Sequence, residues 1–261
     1  MSLPVFIHPD LSAARTGEAF SFSGPEARHA VTVKRMGEGE RLELIDGTGI
    51  RLTLTITAAT GKDSLEGMVE SIVTTPEPTP RVTVVQAIPK SDRAELAVDL
   101  MSQAGADRII PWAASRSIAK WDGKEEKARM KWENAARSAA KQSRRLLLPE
   151  VTELLRHPQD LGSFFDANPA SSAPKILILH ESATQGIQAV DFSGVEDVVL
   201  VVGPEGGVSE DELEQFAALG AQPIRLGPEV LRTATAASVA LGALGVLTAR
   251  WGNETGKATI G

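Results

Sequence analysis

The feature that most constrains the fold is the run Val198-Val199-Leu200-Val201-Val202, which stops at Gly203-Pro204-Glu205-Gly206-Gly207. Five consecutive β-favouring apolar residues predict a strand buried on both faces. The three glycines predict a tight turn, and Ser209 with Glu212 has the spacing of a helix capping box. A strand, a glycine turn and a helix start place bare backbone donors at the carboxyl edge of a sheet, where open α/β folds bind ligands. The turn lacks the Lys-Ser/Thr of a phosphate loop and the G-x-G-x-x-G of a dinucleotide site. Glu205 inside it would repel a phosphate, so a cofactor with neutral or cationic parts fits better. The plainer alternative is that the glycines only supply positive φ.

Other segments extend the pattern. Strands are predicted over 82–88, 108–111, 175–180 and 223–226, and helices over 93–104, 124–144, 210–219 and 235–250. Asp92 and Glu95 can cap the first of these helices and Gly105 can end it. Such βα alternation predicts an α/β domain with a mostly parallel sheet covered by helices on both faces. The first 75 residues read differently. They predict short strands over 42–45, 51–56 and 65–73, with an Asp46-Gly47 turn, and a small β-barrel would close such a set. Pro76, Pro78 and Pro80 mark a stiff linker, so the expected domains are 1–75 and 81–261 with 76–80 between them.

Composition excludes several chemistries. The absence of cysteine rules out a thiol nucleophile, a disulfide framework or a cysteine-ligated metal. His8, His29, His157 and His180 form no metal-spaced pair, so no metal site is expected. The start, Met1-Ser2-Leu3-Pro4, lacks the basic and apolar regions of a signal peptide, and no apolar stretch is long enough for a membrane span. A cytoplasmic protein is expected. The net charge of −7 argues at first against a nucleic-acid partner. Its distribution reverses that argument, because residues 81–156 carry 15 basic and 10 acidic side chains while 157–261 carry 5 and 13.

Three constellations could carry chemistry. On the long helix, Trp132, Ala135, Ala136, Ala139 and Ala140 share one face, while Lys127, Lys131, Arg137, Lys141, Arg144 and Arg145 spread over the other. A solvated face would look similar, but acidic partners are sparse after Glu133, and such a stripe suits phosphate contacts. The segment Leu226-Gly227-Pro228-Glu229-Val230-Leu231-Arg232-Thr233 leads into an alanine-rich helix capped by Thr233 or Thr235. That helix is apolar nearly all round and should be buried, in the core or against a second subunit. Arg232 precedes a helix N-terminus, which disfavours a purely structural cation, so it more plausibly faces an anion or a developing negative charge. Finally, Lys90 and Arg93 follow the first strand of the large domain, and Arg116, with Ser115 and Ser117, follows the next. Both sets lie on the same rim as the glycine turn. Arg28-His29 and Lys34-Arg35-Met36 give a weaker basic signal near the N-terminus, where a lone histidine is more often structural.

Taken together, GPEGG after an apolar strand, LGPxVLRTxTA some twenty residues later, and the upstream Lys-x-x-Arg and Gln-Ser-x-Arg segments resemble the RsmE family. These are 16S rRNA (uracil-N3)-methyltransferases of the SPOUT class. The resemblance runs from His29 and Lys34-Arg35-Met36 to the last helix, with the motifs in matching order. It implies an N-terminal PUA-like RNA-binding barrel and a C-terminal α/β domain with a trefoil knot, which periodicity cannot predict. It also implies S-adenosylmethionine as methyl donor, 16S rRNA of the small ribosomal subunit as partner, and a homodimer whose active site draws on both subunits.

By motif match, cofactor contacts fall on Leu179, His180, Glu181, Val202, Gly203, Pro204, Glu205, Gly206, Gly207, Leu226, Gly227, Val230, Leu231, Arg232 and Thr233. RNA contacts fall on Lys34, Arg35, Arg93, Arg116, Arg137 and Arg144, and Arg232 is the catalytic candidate. Many relatives have Arg at the position of Glu229 and Glu at that of Ala234, so no general base carries over. Other readings stay open from the residues: a methyltransferase of the same class acting on a ribose 2′-OH or another base, a non-catalytic ribosome-assembly factor, or an enzyme of small-metabolite chemistry.

Overall fold

A computed structural model describes residues 3–90, 93–165 and 173–252. The chain divides into two compact units, one running up to Glu77 and joined by Ala140–Leu148, the other formed by Pro78–Ala139 and the chain from Pro149 onward.

The first unit holds strands β1 (Val5–Ile7), β2 (Ala19–Ser23), β3 (Arg41–Ile45), β4 (Ile50–Thr60) and β5 (Ser64–Thr74), in sheet order β1-β3-β4-β5-β2. β1 pairs parallel with β3 and the other pairs are antiparallel, a curled mixed sheet over Phe6, Phe22, Leu42, Leu44, Leu52, Leu54 and Leu65. β3, β4 and β5 lie where the alternation predicts strands. β1 and β2 are the two edges of the sheet, and between β2 and β3 the chain makes a helical turn, α1 (Pro25–Arg28), continued by one π-helical turn over His29–Val33. Glu26 on that turn accepts from the Ile7 N–H (3.2 Å) and from Lys141 Nζ (2.6 Å), so a carboxylate occupies the edge that a closing strand would fill.

The second unit is built on six strands. They are β6 (Arg81–Ala87), β7 (Arg108–Trp112), β8 (Glu150–Val151), β9 (Lys175–Leu179), β10 (Asp197–Val202) and β11 (Gln222–Ile224). Their order is β11-β9-β10-β6-β7-β8, with every pair parallel. Its helices are α2 (Ala94–Ala104), α3 (Glu125–Ser143, whose end clusters with the first unit), α4 (Glu210–Ala218) and α5 (Thr233–Leu247). Period-two alternation sends Val82, Val84, Val198 and Leu200 to the face covered by α2, α5 and Trp132 of α3. Val85, Ala87, Val199 and Val201 go to the opposite face, where Phe216 of α4 meets Trp112 edge-on at 5.1 Å. The sheet is thus buried on both sides, as the uninterrupted apolar run requires. No described helix is long and apolar enough to cross a membrane.

Several local expectations need correction. α2 has Arg93 as its N-cap residue, with no side-chain cap, and Asp92 lies outside the described residues. Gly105 does end α2, in the left-handed conformation (φ 110°). α5 begins at Thr233, not 235, and ends at Leu247, not 250. Its N-cap is Arg232 rather than Thr233 or Thr235, because Arg232 O already accepts from the N–H groups of Thr235 and Ala236. One side of α5 is buried through Ala236, Ala237, Ala240 and Leu244, but Val239, Val246 and Leu247 are exposed. β11 stops at Ile224, since Arg225 turns away to pair with the chain at Gln185 and Ile187.

Beyond α5, Arg250 folds back into the unit. Its guanidinium binds Asp107 (2.8 Å), Pro80 O and Gly105 O (2.7 Å), with both charged side chains under a tenth exposed. Trp251 lies on Gly245, where a Cβ would stand 2.3 Å from the indole ring.

Candidate active site

Three neighbouring strands, β11, β9 and β10, end at one cleft of about 680 Å³, within the range of small-molecule sites. From β9 the chain continues as His180, whose N–H binds Ile224 O at 3.0 Å and so ties the loop to β11. His180 Nδ1 in turn contacts Ser182 Oγ at 2.8 Å.

From β10 it enters the glycine turn. The Gly207 N–H closes that turn on Pro204 O at 2.9 Å, and Gly207 takes φ 74°, a conformation that a side chain would strain. Gly206 serves a different need. A Cβ there would lie 3.0 Å from Arg116 Cβ and 3.1 Å from Arg116 O, so the turn rests directly on the Arg116 backbone. Of the three glycines only Gly207 has a positive φ, so conformational freedom alone does not account for the turn, and Gly206 is there for its close approach to Arg116.

From β11 the chain passes Arg225, whose N–H binds Gln185 O (2.8 Å) and whose carbonyl accepts from the Ile187 N–H (3.0 Å). Residues 226–231 then cross the mouth of the cleft. Among the described residues, the backbone N–H groups of Leu226, Gly227, Glu229, Val230 and Leu231 meet no protein acceptor. Val230 is 74% exposed. The loop therefore offers a row of donors beside apolar side chains. Arg232, exposed at the N-terminus of α5, ends it.

One carboxylate organises the opposite rim. Glu212 is 7% exposed and completes the capping box with Ser209, accepting from Ser209 N (3.0 Å) and Ser209 Oγ (2.8 Å). It also accepts from Ser115 N (2.7 Å) and Ser115 Oγ (3.0 Å). Burial pushes its pKa up, but the bonds from the Ser115 and Ser209 backbone and hydroxyls outweigh burial and hold it below the ordinary value. The capping spacing reveals the bond to Ser209. Nothing local in the sequence reveals the bond to Ser115.

All fifteen residues that the motif match assigns to a cofactor line this cleft, together with Arg93 and Arg116. Val208, Ile224, Arg225 and Ala236, which the motif match did not assign to a cofactor, line it too, as do Glu229 and Ala234, the two positions that depart from the motif. The remaining basic residues lie elsewhere. Arg137 is exposed on α3, while Lys34, Arg35 and Arg144 belong to the first unit. Arg35 (φ 56°) and Arg144 (φ 60°) are the two non-glycine residues with positive φ among the described residues. Arg144 follows α3 in a Schellman-type stop, with the Arg145 N–H on Ala140 O at 2.9 Å, where glycine is usual. Lys141 is not part of an open stripe, because it pairs with Glu26 and covers the Phe6 ring at 4.9 Å.

A parallel sheet with a ligand cleft on its carboxyl edge, joined to a curled mixed sheet, is the architecture of two-domain RNA methyltransferases. The chain matches the RNA methyltransferase domain family over residues 75–245 and the RNA methyltransferase PUA domain family over residues 22–68. It is 45% identical over 237 residues to a ribosomal RNA small subunit methyltransferase E of Mycobacterium bovis, covering 90% of this chain and 89% of that protein. The Bacillus subtilis protein of the same name is 30% identical over 234 residues, covering 86% and 89%. The crystal structure of a ribosomal RNA small subunit methyltransferase E from Neisseria gonorrhoeae bound to S-adenosyl methionine superimposes with a TM-score of 0.81 at 26% identity, covering 94% and 98%. The chain belongs to the ribosomal RNA small subunit methyltransferase E family.

Proposed function

We propose that the protein transfers a methyl group from S-adenosylmethionine to N3 of a uridine in 16S ribosomal RNA of the small subunit. The observation that carries this reading is the cleft at the ends of β9, β10 and β11, with its row of open N–H donors. The residues fit the cofactor. Leu179, Val202, Leu226, Leu231 and Ala236 suit an adenine ring, the 226–231 amides suit ring nitrogens and a carboxylate, and Glu181, Glu205 and Glu229 suit ammonium and sulfonium charge. When bound, S-adenosylmethionine supplies a methyl group already activated by its sulfonium.

The chain then has to orient the base, exclude water and manage one proton. Arg232, held at the N-terminus of α5, stabilises negative charge on a uracil carbonyl as the N3 proton passes to solvent water; N3 then takes the methyl as its bond to the donor sulfur breaks, which would release S-adenosylhomocysteine. N3 lies on the Watson–Crick edge, so the base enters unpaired. The expected PUA-like domain, residues 1–75, holds surrounding RNA through Lys34 and Arg35, and the 81–261 domain through Arg93, Arg116, Arg137 and Arg144. These contacts are to phosphate and shape. The proposal extends to a trefoil-knotted 81–261 domain and to a homodimer sharing the exposed side of α5. A ribosomal RNA substrate is the ground for proposing that the protein works in the cytoplasm.

The test is methylation of small-subunit rRNA and intact subunits in vitro, followed by nucleoside mass spectrometry. A 3-methyluridine product is expected. A 2′-O-methyl product, or none with either substrate, would overturn the reading.

A further inference from the structure

The Glu212 side chain does two jobs at once. Its Oε2 accepts from Ser209 N and Ser209 Oγ, which starts α4 directly after the glycine turn. Its Oε1 accepts from Ser115 N at 2.7 Å, and Oε2 also takes the Ser115 hydroxyl. Ser115 and Ser209 are 94 residues apart in sequence, and a helix cap needs only one of them. The residue after Ser115 is Arg116, whose backbone supports Gly206 and whose guanidinium points at Gly206 O (3.4 Å) and Val208 O (3.5 Å). A carboxylate has enough lone pairs for all four donors, and a neutral amide in its place has one oxygen for two backbone N–H groups. The capping job explains two of the four bonds. The other two join the turn to the Arg116 loop.

We propose that Glu212 is a positioning residue for methyl transfer: by holding Ser115 and Ser209 together it fixes Arg116 against the glycine turn, so that the cofactor turn and an RNA-facing arginine are set as one piece. The inference rests on the function proposed above. Occupancy of the turn by cofactor is then felt at Arg116, and by linkage RNA on Arg116 is felt at the turn. Glu212→Gln keeps one backbone N–H bonded and frees the other, which separates the two jobs without emptying the site.

The experiment measures the affinity of the full-length protein for a small-subunit rRNA transcript, with and without saturating S-adenosylhomocysteine. Wild type, Glu212→Gln and Ser209→Ala are compared, each with its Tm. Ser209→Ala removes the serine half of the cap and its 3.3 Å contact with Ser115 Oγ, but leaves Glu212 bonded to Ser115 and to the Ser209 N–H, so it serves as the control for helix stability. In wild type the cofactor product tightens RNA binding at least about fivefold, the low end of ordinary coupling. Ser209→Ala keeps that ratio although its Tm falls, whereas Glu212→Gln brings the ratio close to one. Equal ratios in wild type and Glu212→Gln would overturn the inference alone, as would a wild-type ratio of one. A wild type that binds no S-adenosylhomocysteine would overturn the proposed function, and this inference with it.

Discussion

The two loops that frame the cleft are built in opposite ways. The glycine turn is closed by its own Gly207–Pro204 bond, rests on Arg116 and is followed by a helix whose cap also holds Ser115. The 226–231 segment has no such brace, since its N–H groups are open and Val230 stands in solvent. One rim is bonded internally; under the function proposed above, the other is completed by the ligand. The difference teaches where binding energy goes: ordering cost falls on the open loop, and the preformed turn supplies register.

The strongest way to break this comparison is at the end of the open loop. Arg232→Ala should lower single-turnover methylation by about 10²–10³-fold, the scale of losing one donor to a developing anion, with cofactor affinity within a few-fold of wild type. If the variant methylates at the wild-type rate, the role given to Arg232 is wrong. The braced turn should answer in stability instead. Gly207→Ala forces a side chain into the left-handed region and should cost about 1–2 kcal/mol, read as a lower Tm even without ligand. Both outcomes follow from where each loop keeps its constraints.

Acid should weaken the braced rim specifically. The Glu212 pKa is held below the ordinary value near 4.5, so its contribution is complete above that pH and disappears as pH falls through the lowered value. Urea titrations between pH 6 and 3 should show a shallower loss of stability for Glu212→Gln than for wild type, and parallel curves would contradict this. The smallest effect is expected for Val230→Ala. Its stability should stay within about 0.5 kcal/mol of wild type, as for an exposed side chain. Hydrogen exchange sharpens the contrast, because amides 226–231 should slow on adding S-adenosylhomocysteine while that of Gly207 should be protected beforehand.

What could be read from the residues follows the range of the interactions. β9 and β10 are legible because burial on both faces leaves an unbroken apolar run, and β6 because only Thr83 and Gln86 interrupt one. The capping box at Ser209 is legible because its partners are three residues apart. The first unit is harder. β1 has only three residues and earns its place by pairing with Glu43, Leu44 and Ile45, far along the chain. The start of α5 is hard to read because two threonines offer local caps, while the backbone bonds to Arg232 O set the boundary two residues earlier. The glycine turn is legible from its strand–turn–helix pattern, whereas the 226–231 side of the cleft could be named only through paired motifs, since the pairing of Arg225 with Gln185 and Gly186 leaves no periodic trace. Arg35 and Arg144 occupy backbone positions where sequence rules look for glycine, so their conformation was invisible.

Arg250 gives the second unit an order of completion. On a growing chain it emerges after Pro80, Gly105 and Asp107, the three groups it joins, and after every strand of the sheet. The sheet can therefore assemble during synthesis, but the seam between its first strand, the end of α2 and the end of α5 is sealed last. A nascent chain stalled before residue 250 would carry all the strands and still leave that seam open to chaperones and proteases.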